Sequence, residues 1–98
     1  MNILANDGLH SAAVQALEND GHQVILDFVE QDSLADYINT ENIEALFVRS
    51  ATKVRQDLID QCPNLKYIGR AGVGVDNIDV EYAKSQGRHV FNTPKASS

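Results

Sequence analysis

The chain has 98 residues, enough for one small domain, and its apolar fraction of 43% and charged fraction of 22% are ordinary for a soluble globular protein. The net charge of −6 argues against nucleic-acid binding, and no apolar run approaches the roughly 20 residues of a membrane span. The only cysteine, Cys62, excludes an internal disulfide, and there is no signal-peptide pattern, so we expect a reducing cytoplasm.

Apolar runs and helical patterns alternate along the chain. Short apolar runs bounded by polar residues or glycine predict strands, and apolar positions three or four residues apart predict helices. Gly21 and Gly87 follow predicted helices, as glycine commonly does, and Ser33 is a candidate N-cap. The predicted strands cover residues 2–6, 23–26, 43–48, 65–68 and 89–91, and the predicted helices cover residues 10–19, 34–38, 57–61 and 80–86.

This alternation of strand and helix predicts a parallel sheet with helices on both faces. Right-handed crossovers between the strands make a flavodoxin-like, doubly wound α/β sheet the predicted fold, with five strands in the order 2-1-3-4-5. The sequence shows no internal repeat, low-complexity segment or linker between domains. Residues 1–98 are therefore interpreted as belonging to one domain.

Cations, small polar residues and glycines occur at the ends of three predicted strands. All eight Lys and Arg residues lie at or after Arg49, whereas residues 1–48 contain nine acids and no base. Parallel sheets bind ligands outside the carboxyl ends of their strands, and guanidinium, ammonium and glycine N–H groups there suit an anion. The candidate ligand-binding residues are Arg49, Ser50 and Lys53 after the third strand, Arg70, Gly72, Val73 and Gly74 after the fourth, and Asn92 after the fifth.

These candidates also have structural interpretations. The alternatives are an ion pair between Arg49 and an acid of residues 1–48, a helix cap at Ser50, and an Asx turn of Asn92 ahead of Pro94. The glycine segment is alternatively a tight turn. The residues alone leave these alternatives open.

Other kinds of site are disfavoured by the residue pattern. The segment Gly72-x-Gly74-x-x-Asn77 lacks the third glycine of the dinucleotide fingerprint, and no acid follows it by about 20 residues. No histidine pair has metal-ligand spacing and Cys62 has no neighbouring ligand, so we expect no metal site and a structural role for this cysteine. The three histidines lie outside the candidate segments and are expected to be ordinary surface residues: His10, His22 and His89.

Three segments together resemble a known family: VRSATKV at residues 48–54, GRAGVGVDNID at 69–79 and NTP at 92–94. They are similar to the amino-terminal region of NAD-dependent D-2-hydroxyacid dehydrogenases, and most of all to the branch that acts on a phosphorylated substrate. The resemblance implies that the glycine segment approaches the substrate's carboxylate. It also places Arg49, Ser50 and Lys53 near the substrate, Arg70 near its phosphate or at a subunit contact, and Asn92 near the substrate or the nicotinamide.

The resemblance also implies which parts of an enzyme are missing from these 98 residues. In the family, the catalytic base is a histidine paired with a glutamate, the polarising group is an arginine, and a separate glycine fingerprint binds NAD. All of them lie beyond the region that this chain resembles. We therefore expect an incomplete substrate-binding domain with no catalytic residue, no NAD binding and no activity by itself, and a dinucleotide-binding domain that follows it.

The expected partner is a small anionic 2-hydroxy acid, with no role for nucleic acid or membrane. Because missing contacts would expose apolar surface, we also expect a homodimer or other self-association. One alternative is a non-catalytic module that binds a small anion or serves in assembly. Another is a degenerate receiver-like domain, suggested by Asn6-Asp7 but disfavoured because the third strand ends in Arg49-Ser50, without the aspartate that a receiver phosphorylates.

Overall fold

The apolar runs of the sequence form the strands of a sheet, and the segments between them form helices. The computed structural model describes residues 1–49, 52–71 and 78–93, with only the backbone described for residues 71, 92 and 93. The strands are β1 (Asn2–Ala5), β2 (Gln23–Ile25), β3 (Ile43–Val48), β4 (Tyr67–Ala71) and β5 (His89–Thr93). The helices are α1 (Ser11–Asn19), α2 (Gln31–Thr40), α3 (Gln56–Gln61) and α4 (Val80–Ser85).

The five strands run parallel in the order β2-β1-β3-β4-β5. This order confirms the predicted doubly wound topology. Parallel neighbours need a crossover that returns the chain to the same end of the sheet, and here a helix supplies each crossover. The carboxyl ends of β1, β3, β4 and β5 consequently meet at one edge of the sheet, which we call the carboxyl edge.

Helices cover the two faces of the sheet unequally. Helices α2, α3 and α4 pack on one face and α1 packs on the other. Each described helix is too short and too polar to span a bilayer. The larger cluster includes Leu34, Ile38, Leu58, Ile59 and Ala83 of the helices with Leu4, Leu46, Val48 and Ile68 of the strands. The smaller cluster combines Ile3, Ala5, Ala45 and Phe47 with Leu9, Leu17, Val24 and Tyr67.

Aromatic rings cover the second face over β4 and β5. Phe91 meets Phe47 edge to face with ring centroids 5.7 Å apart, and Tyr67 stacks on His89 with centroids 5.3 Å apart. Gly69 lies between the two phenylalanines, and the Phe47 ring occupies the space that a side chain at position 69 would need. The close approach of this ring explains why glycine is required in the middle of β4.

Two strands extend further than predicted at their carboxyl ends. The fourth strand was predicted over residues 65–68, with a turn at Arg70, but β4 begins at Tyr67 and continues to Ala71. The predicted turn is wrong because Arg70 pairs with Val48 of β3 and with Asn92 of β5. The fifth strand was predicted over residues 89–91, but this pairing carries β5 to Thr93.

The predicted start of the second helix is also wrong. Helix α2 begins at Gln31 with Glu30 as its N-cap, and the Ser33 N–H donates to the Glu30 carbonyl at 3.0 Å. Ser33 therefore lies inside the first turn and caps nothing. The strand β3 has the predicted bounds, and the predicted bounds of β1, β2, α1, α3 and α4 agree to within one residue.

Cys62 ends α3 inside the larger cluster. Its side chain is buried, with Sγ 3.9 Å from the carbonyl oxygen of Ala35. Burial raises the pKa of the Cys62 thiol to about 11, while the nearby positive charge of Arg88 acts in the opposite direction. The Arg88 guanidinium donates to the carbonyls of Ile59 and Cys62 at 3.2 Å each, so it satisfies the end of α3. A buried thiol that stays protonated at neutral pH is a poor nucleophile.

Replacing Gly69 by alanine is expected to destabilise the domain. The added Cβ would overlap Cδ1 and Cε1 of Phe47 and lie 3.0 Å from Cε2 of Phe91. Overpacking of this kind costs about 1–3 kcal/mol of unfolding free energy, which urea titration followed by circular dichroism measures. In a Phe47→Leu background the blocking ring is gone, so Gly69→Ala should cost less there. An equal cost in both backgrounds would contradict the explanation of Gly69.

Candidate functional site

Strand pairing brings three of the predicted site segments to the same level of the carboxyl edge. Val48, Arg70 and Asn92 lie side by side on β3, β4 and β5 in the parallel register. Adjacent strands lie about 4.8 Å apart, and Arg49 follows Val48 directly. Arg49, Arg70 and Asn92 therefore start from neighbouring points of the backbone.

A second pairing holds the far ends of two of these segments. Val54 forms an isolated parallel bridge with Ile78, and the Asp79 N–H donates to the Val54 carbonyl at 2.8 Å. The Arg55 guanidinium adds an ion pair with Asp79 at 3.2 Å. Val48 and Arg70 thus lie side by side where the two segments leave the sheet, and Val54 and Ile78 lie side by side further along the chain. Four predicted site residues in these segments lie outside the described residues: Ser50, Gly72, Val73 and Gly74.

One carboxylate organises the loop at residues 49–53, which we call the post-β3 loop. Asp7 follows the end of β1, and its Oδ2 accepts from the N–H groups of Arg49 at 2.8 Å and Thr52 at 2.9 Å. Its Oδ1 accepts from the Thr52 hydroxyl at 2.6 Å. Hydrogen bonds to an ionised acceptor are stronger than neutral ones. Asp7 therefore holds two points of the loop at once.

Asn6 stabilises the same loop from the buried side. It is only 2% exposed, and its Nδ2 donates to Thr52 Oγ1 and to the Val29 carbonyl at 2.9 Å each. Its Oδ1 accepts from the Val29 N–H at 2.7 Å, and its own N–H donates to the Phe47 carbonyl at 3.1 Å. One buried amide thus links the ends of β1 and β3 to the segment after β2.

Gln31 holds the loop at its other end. Its Nε2 donates to the Lys53 carbonyl at 2.8 Å, and its Oε1 accepts from the Lys53 N–H at 2.9 Å. This reciprocal pair fixes both backbone polar groups of one residue. Because Gln31 is the first residue of α2, the helix serves as a rigid support for the loop.

The cations of the site differ in their surroundings. Arg49 and Lys53 are exposed, and Arg70 is half-buried within β4. Side chains alternate along a strand, so Arg70 lies on the same face as Ile68 and Val48, the face that α2, α3 and α4 cover. The Lys53 ammonium has no carboxylate within 4.0 Å among the described residues. Such an edge, with two exposed cations on a hydrogen-bonded loop and a third on the neighbouring strand, is suited to a small anion.

The histidines occupy other positions in the fold. The His10 Nδ1 accepts from the Ala12 N–H at 3.1 Å and so caps α1. The His22 Nδ1 lies 3.2 Å from the terminal amine of Met1, and His89 begins β5 beside Tyr67. None of the three contacts Arg49, Arg70 or the post-β3 loop among the hydrogen bonds and ring contacts described.

Sequence reasoning missed the residues that shape the loop. These residues are Asn6, Asp7, Gln31 and Thr52. The polar pair Asn6-Asp7 at the end of the first strand supported only the alternative of a receiver-like domain. The position of this pair was the available signal. In the order 2-1-3, the polar residues that follow β1 must lie close to those that follow β3.

Comparison with known proteins agrees with this architecture. Residues 3–98 match the family model of the D-isomer specific 2-hydroxyacid dehydrogenase catalytic domain. The chain is 46% identical over 96 residues to D-3-phosphoglycerate dehydrogenase of Methanocaldococcus jannaschii, covering 98% of this chain and 18% of that protein. It is 47% identical over 97 residues to hydroxypyruvate reductase of Thermotoga maritima, covering 98% of this chain and 31% of that protein.

Solved structures give the same result. NAD-bound 3-phosphoglycerate dehydrogenase of Entamoeba histolytica superimposes with a TM-score of 0.75 at 30% identity, covering 96% of this chain and 33% of that one. The fold is also shared with D-lactate dehydrogenase of Escherichia coli, with a TM-score of 0.78 at 20% identity, covering 95% of this chain and 31% of that one. The chain thus spans less than a third of the curated relatives described. It belongs to the family of D-isomer specific 2-hydroxyacid dehydrogenases.

Proposed function

We propose that this chain is the substrate-binding part of an NAD-dependent dehydrogenase that oxidises D-3-phosphoglycerate to 3-phosphohydroxypyruvate. The observation that carries the proposal is the register that pairs Val48 with Arg70 and Arg70 with Asn92, because Arg49 follows Val48 directly and both cations therefore start from the carboxyl edge. The substrate carries a carboxylate and a phosphate. Two guanidinium groups from adjacent strands, with the Lys53 ammonium nearby, complement such a dianionic molecule.

The assignment of the phosphorylated substrate rests on similarity. The relative from Methanocaldococcus jannaschii is named D-3-phosphoglycerate dehydrogenase, and the relative from Thermotoga maritima, at almost the same identity, is named hydroxypyruvate reductase. Hydroxypyruvate lacks the phosphate. We assign Arg49 and Lys53 to substrate binding in either case, and Arg70 to the phosphate in the first.

The residues of this chain do not fit a dinucleotide cofactor. In a nucleotide-binding sheet, the turn after the first strand carries glycine N–H groups that accept a pyrophosphate. Here the residues after β1 are Asn6, Asp7 and Gly8, which do not form the glycine fingerprint, and the Asp7 carboxylate is engaged with the backbone N–H groups of Arg49 and Thr52. Residues 72–77 lack the third fingerprint glycine. In our proposal the NAD site and the base that takes the hydroxyl proton belong to other parts of the enzyme, and this chain binds and orients the substrate.

An assay of the full-length enzyme tests the proposal directly. We expect oxidation of D-3-phosphoglycerate with NAD by the full-length protein and no turnover by residues 1–98 alone, because the chain lacks a dinucleotide site. Production of NADH measured at 340 nm reports both. A full-length protein that oxidises no 2-hydroxy acid would refute the proposal. If residues 1–98 bound 3-phosphoglycerate in that case, a non-catalytic anion-binding module would be the better account.

Substitution of Arg49 should weaken substrate binding. Loss of a charge-assisted, bidentate contact is expected to raise the KM for D-3-phosphoglycerate by about 10- to 100-fold in Arg49→Ala. Lys66→Ala is the matched control, because Lys66 is an exposed cation at the amino end of β4, away from the carboxyl edge. Steady-state kinetics of the full-length variants measure the effect. Equal KM values in the two variants would exclude Arg49 from the site.

We also propose that this chain self-associates through exposed apolar side chains. Leu26 and Phe28 follow β2, one of the two outermost strands, and are 53% and 62% exposed. Phe91 lies in β5, the other outermost strand, and is 39% exposed. Sedimentation velocity of residues 1–98 at increasing concentration should show a rising sedimentation coefficient, and Phe28→Ser should reduce the rise because it removes the most exposed apolar ring. A monomer at every concentration would contradict the proposal.

A further inference from the structure

The post-β3 loop receives its shape from side chains that lie outside it. The backbone N–H groups of Arg49 and Thr52 donate to Asp7. The backbone N–H of Lys53 donates to Gln31. A loop that leaves a strand cannot satisfy these groups through the sheet, and polar groups close to a core need partners. The loop conformation therefore depends on two side chains that come from the ends of other elements.

Asp7 makes three hydrogen bonds to the post-β3 loop, whereas Gln31 makes two. Asp7 lies one residue beyond Asn6, whose side-chain amide is held by Val29 and whose backbone N–H donates to the Phe47 carbonyl, so the carboxylate starts from a rigid support. Its three hydrogen bonds join residues three positions apart in the loop. Thr52, only 2% exposed, is held between Asp7 and Asn6. One carboxylate thus joins Arg49 to Thr52.

The geometry connects this support to the cations of the site. Asp7 bonds the backbone of Arg49, and Gln31 bonds the backbone of Lys53. The side chains of both cations are long and flexible, so binding must already order them, and an unrestrained backbone would add to that entropy cost. Order imposed before binding reduces the entropy that binding must remove.

We propose that Asp7 is the positioning residue of the substrate site and that Gln31 is its second anchor. Neither residue touches the substrate. Each acts by holding the post-β3 loop so that Arg49 and Lys53 are presented together at the carboxyl edge. This inference rests on the proposed function, since it is the binding of the 2-hydroxy acid that positioning serves.

The test compares substitutions of Asp7 in the full-length enzyme. Asp7→Ala removes all three acceptor contacts and should raise the KM for D-3-phosphoglycerate by about 10- to 100-fold, with a much smaller change in kcat. Asp7→Asn should raise KM less, because its amide oxygen can still accept from the Arg49 and Thr52 N–H groups while its NH₂ donates to the Thr52 hydroxyl. Asp36→Ala is the control: it removes the same charge from an exposed position in α2 and should leave KM unchanged.

A second measurement separates positioning from general stability. In residues 1–98, amide hydrogen exchange at Arg49 and Thr52 should accelerate in Asp7→Ala, while exchange at Leu46 and Ile68 in the sheet keeps its protection. If Asp7→Ala does not fold, Gln31→Ala serves instead. Gln31 is exposed, and the loss of its two hydrogen bonds to Lys53 should raise KM by about three- to tenfold.

The outcomes are distinguishable. An active wild-type enzyme whose folded Asp7→Ala variant keeps the wild-type KM would overturn the positioning role and leave the proposed function intact. Unchanged exchange at Arg49 and Thr52 in Asp7→Ala would overturn it as well. A wild-type enzyme that turns over no 2-hydroxy acid would overturn both proposals together.

Discussion

The parallel register of β3 against β4 and β5 is the constraint on which the rest of the carboxyl edge depends. Val48, Arg70 and Asn92 share one level because the strands pair residue for residue from Ala45 and Tyr67 onward. A slip of one residue would turn every side chain of β3 to the opposite face. Ala45 through Val48 are each at most 5% exposed, so neither face of β3 can tolerate that exchange. Burial in the core therefore determines which residues emerge together at the edge.

The loops at that edge are ordered by side chains instead of by the sheet. The amide of Asn6, the carboxylate of Asp7 and the amide of Gln31 bond the residues that follow β2 and β3, and each comes from a neighbouring element. This arrangement has an electrostatic consequence. Residues 1–48 contain nine acids and no Lys or Arg, yet one of these acids, Asp7, accepts hydrogen bonds from the loop that carries Arg49 and Lys53. An acid close to an anion site is compatible with it when its lone pairs face inward.

Local sequence patterns predicted the architecture well and the edge less well. Alternation of strand and helix and right-handed crossovers predicted a doubly wound sheet, the predicted order 2-1-3-4-5 is the observed one, and β3 has its predicted bounds. The errors at Gly69 and Arg70 have a physical origin: glycine in a strand pattern usually indicates a turn, but here it accommodates the ring of Phe47, which lies 22 residues earlier in the chain. The contacts of Asp7 with Arg49 and Thr52 span 42 and 45 residues and follow no local pattern. Long-range side-chain contacts of this kind become apparent only once the fold is known.

Because its cations are exposed, the site requires a further surface that excludes water. Arg49 and Lys53 are exposed, and the attraction of a charge pair at 4 Å rises from about 1 kcal/mol in bulk water to about 4 kcal/mol at the lower effective dielectric constant near a protein surface. Selective binding of a small dianion therefore requires a second wall that excludes water from the carboxyl edge. Ligand sites commonly form between domains for this reason. The two curated relatives described, from Methanocaldococcus jannaschii and Thermotoga maritima, are more than three times as long as this chain. An edge with exposed cations and a hydrogen-bonded post-β3 loop is suited to be covered by a second protein surface, since preorganised charges gain strength when water is removed.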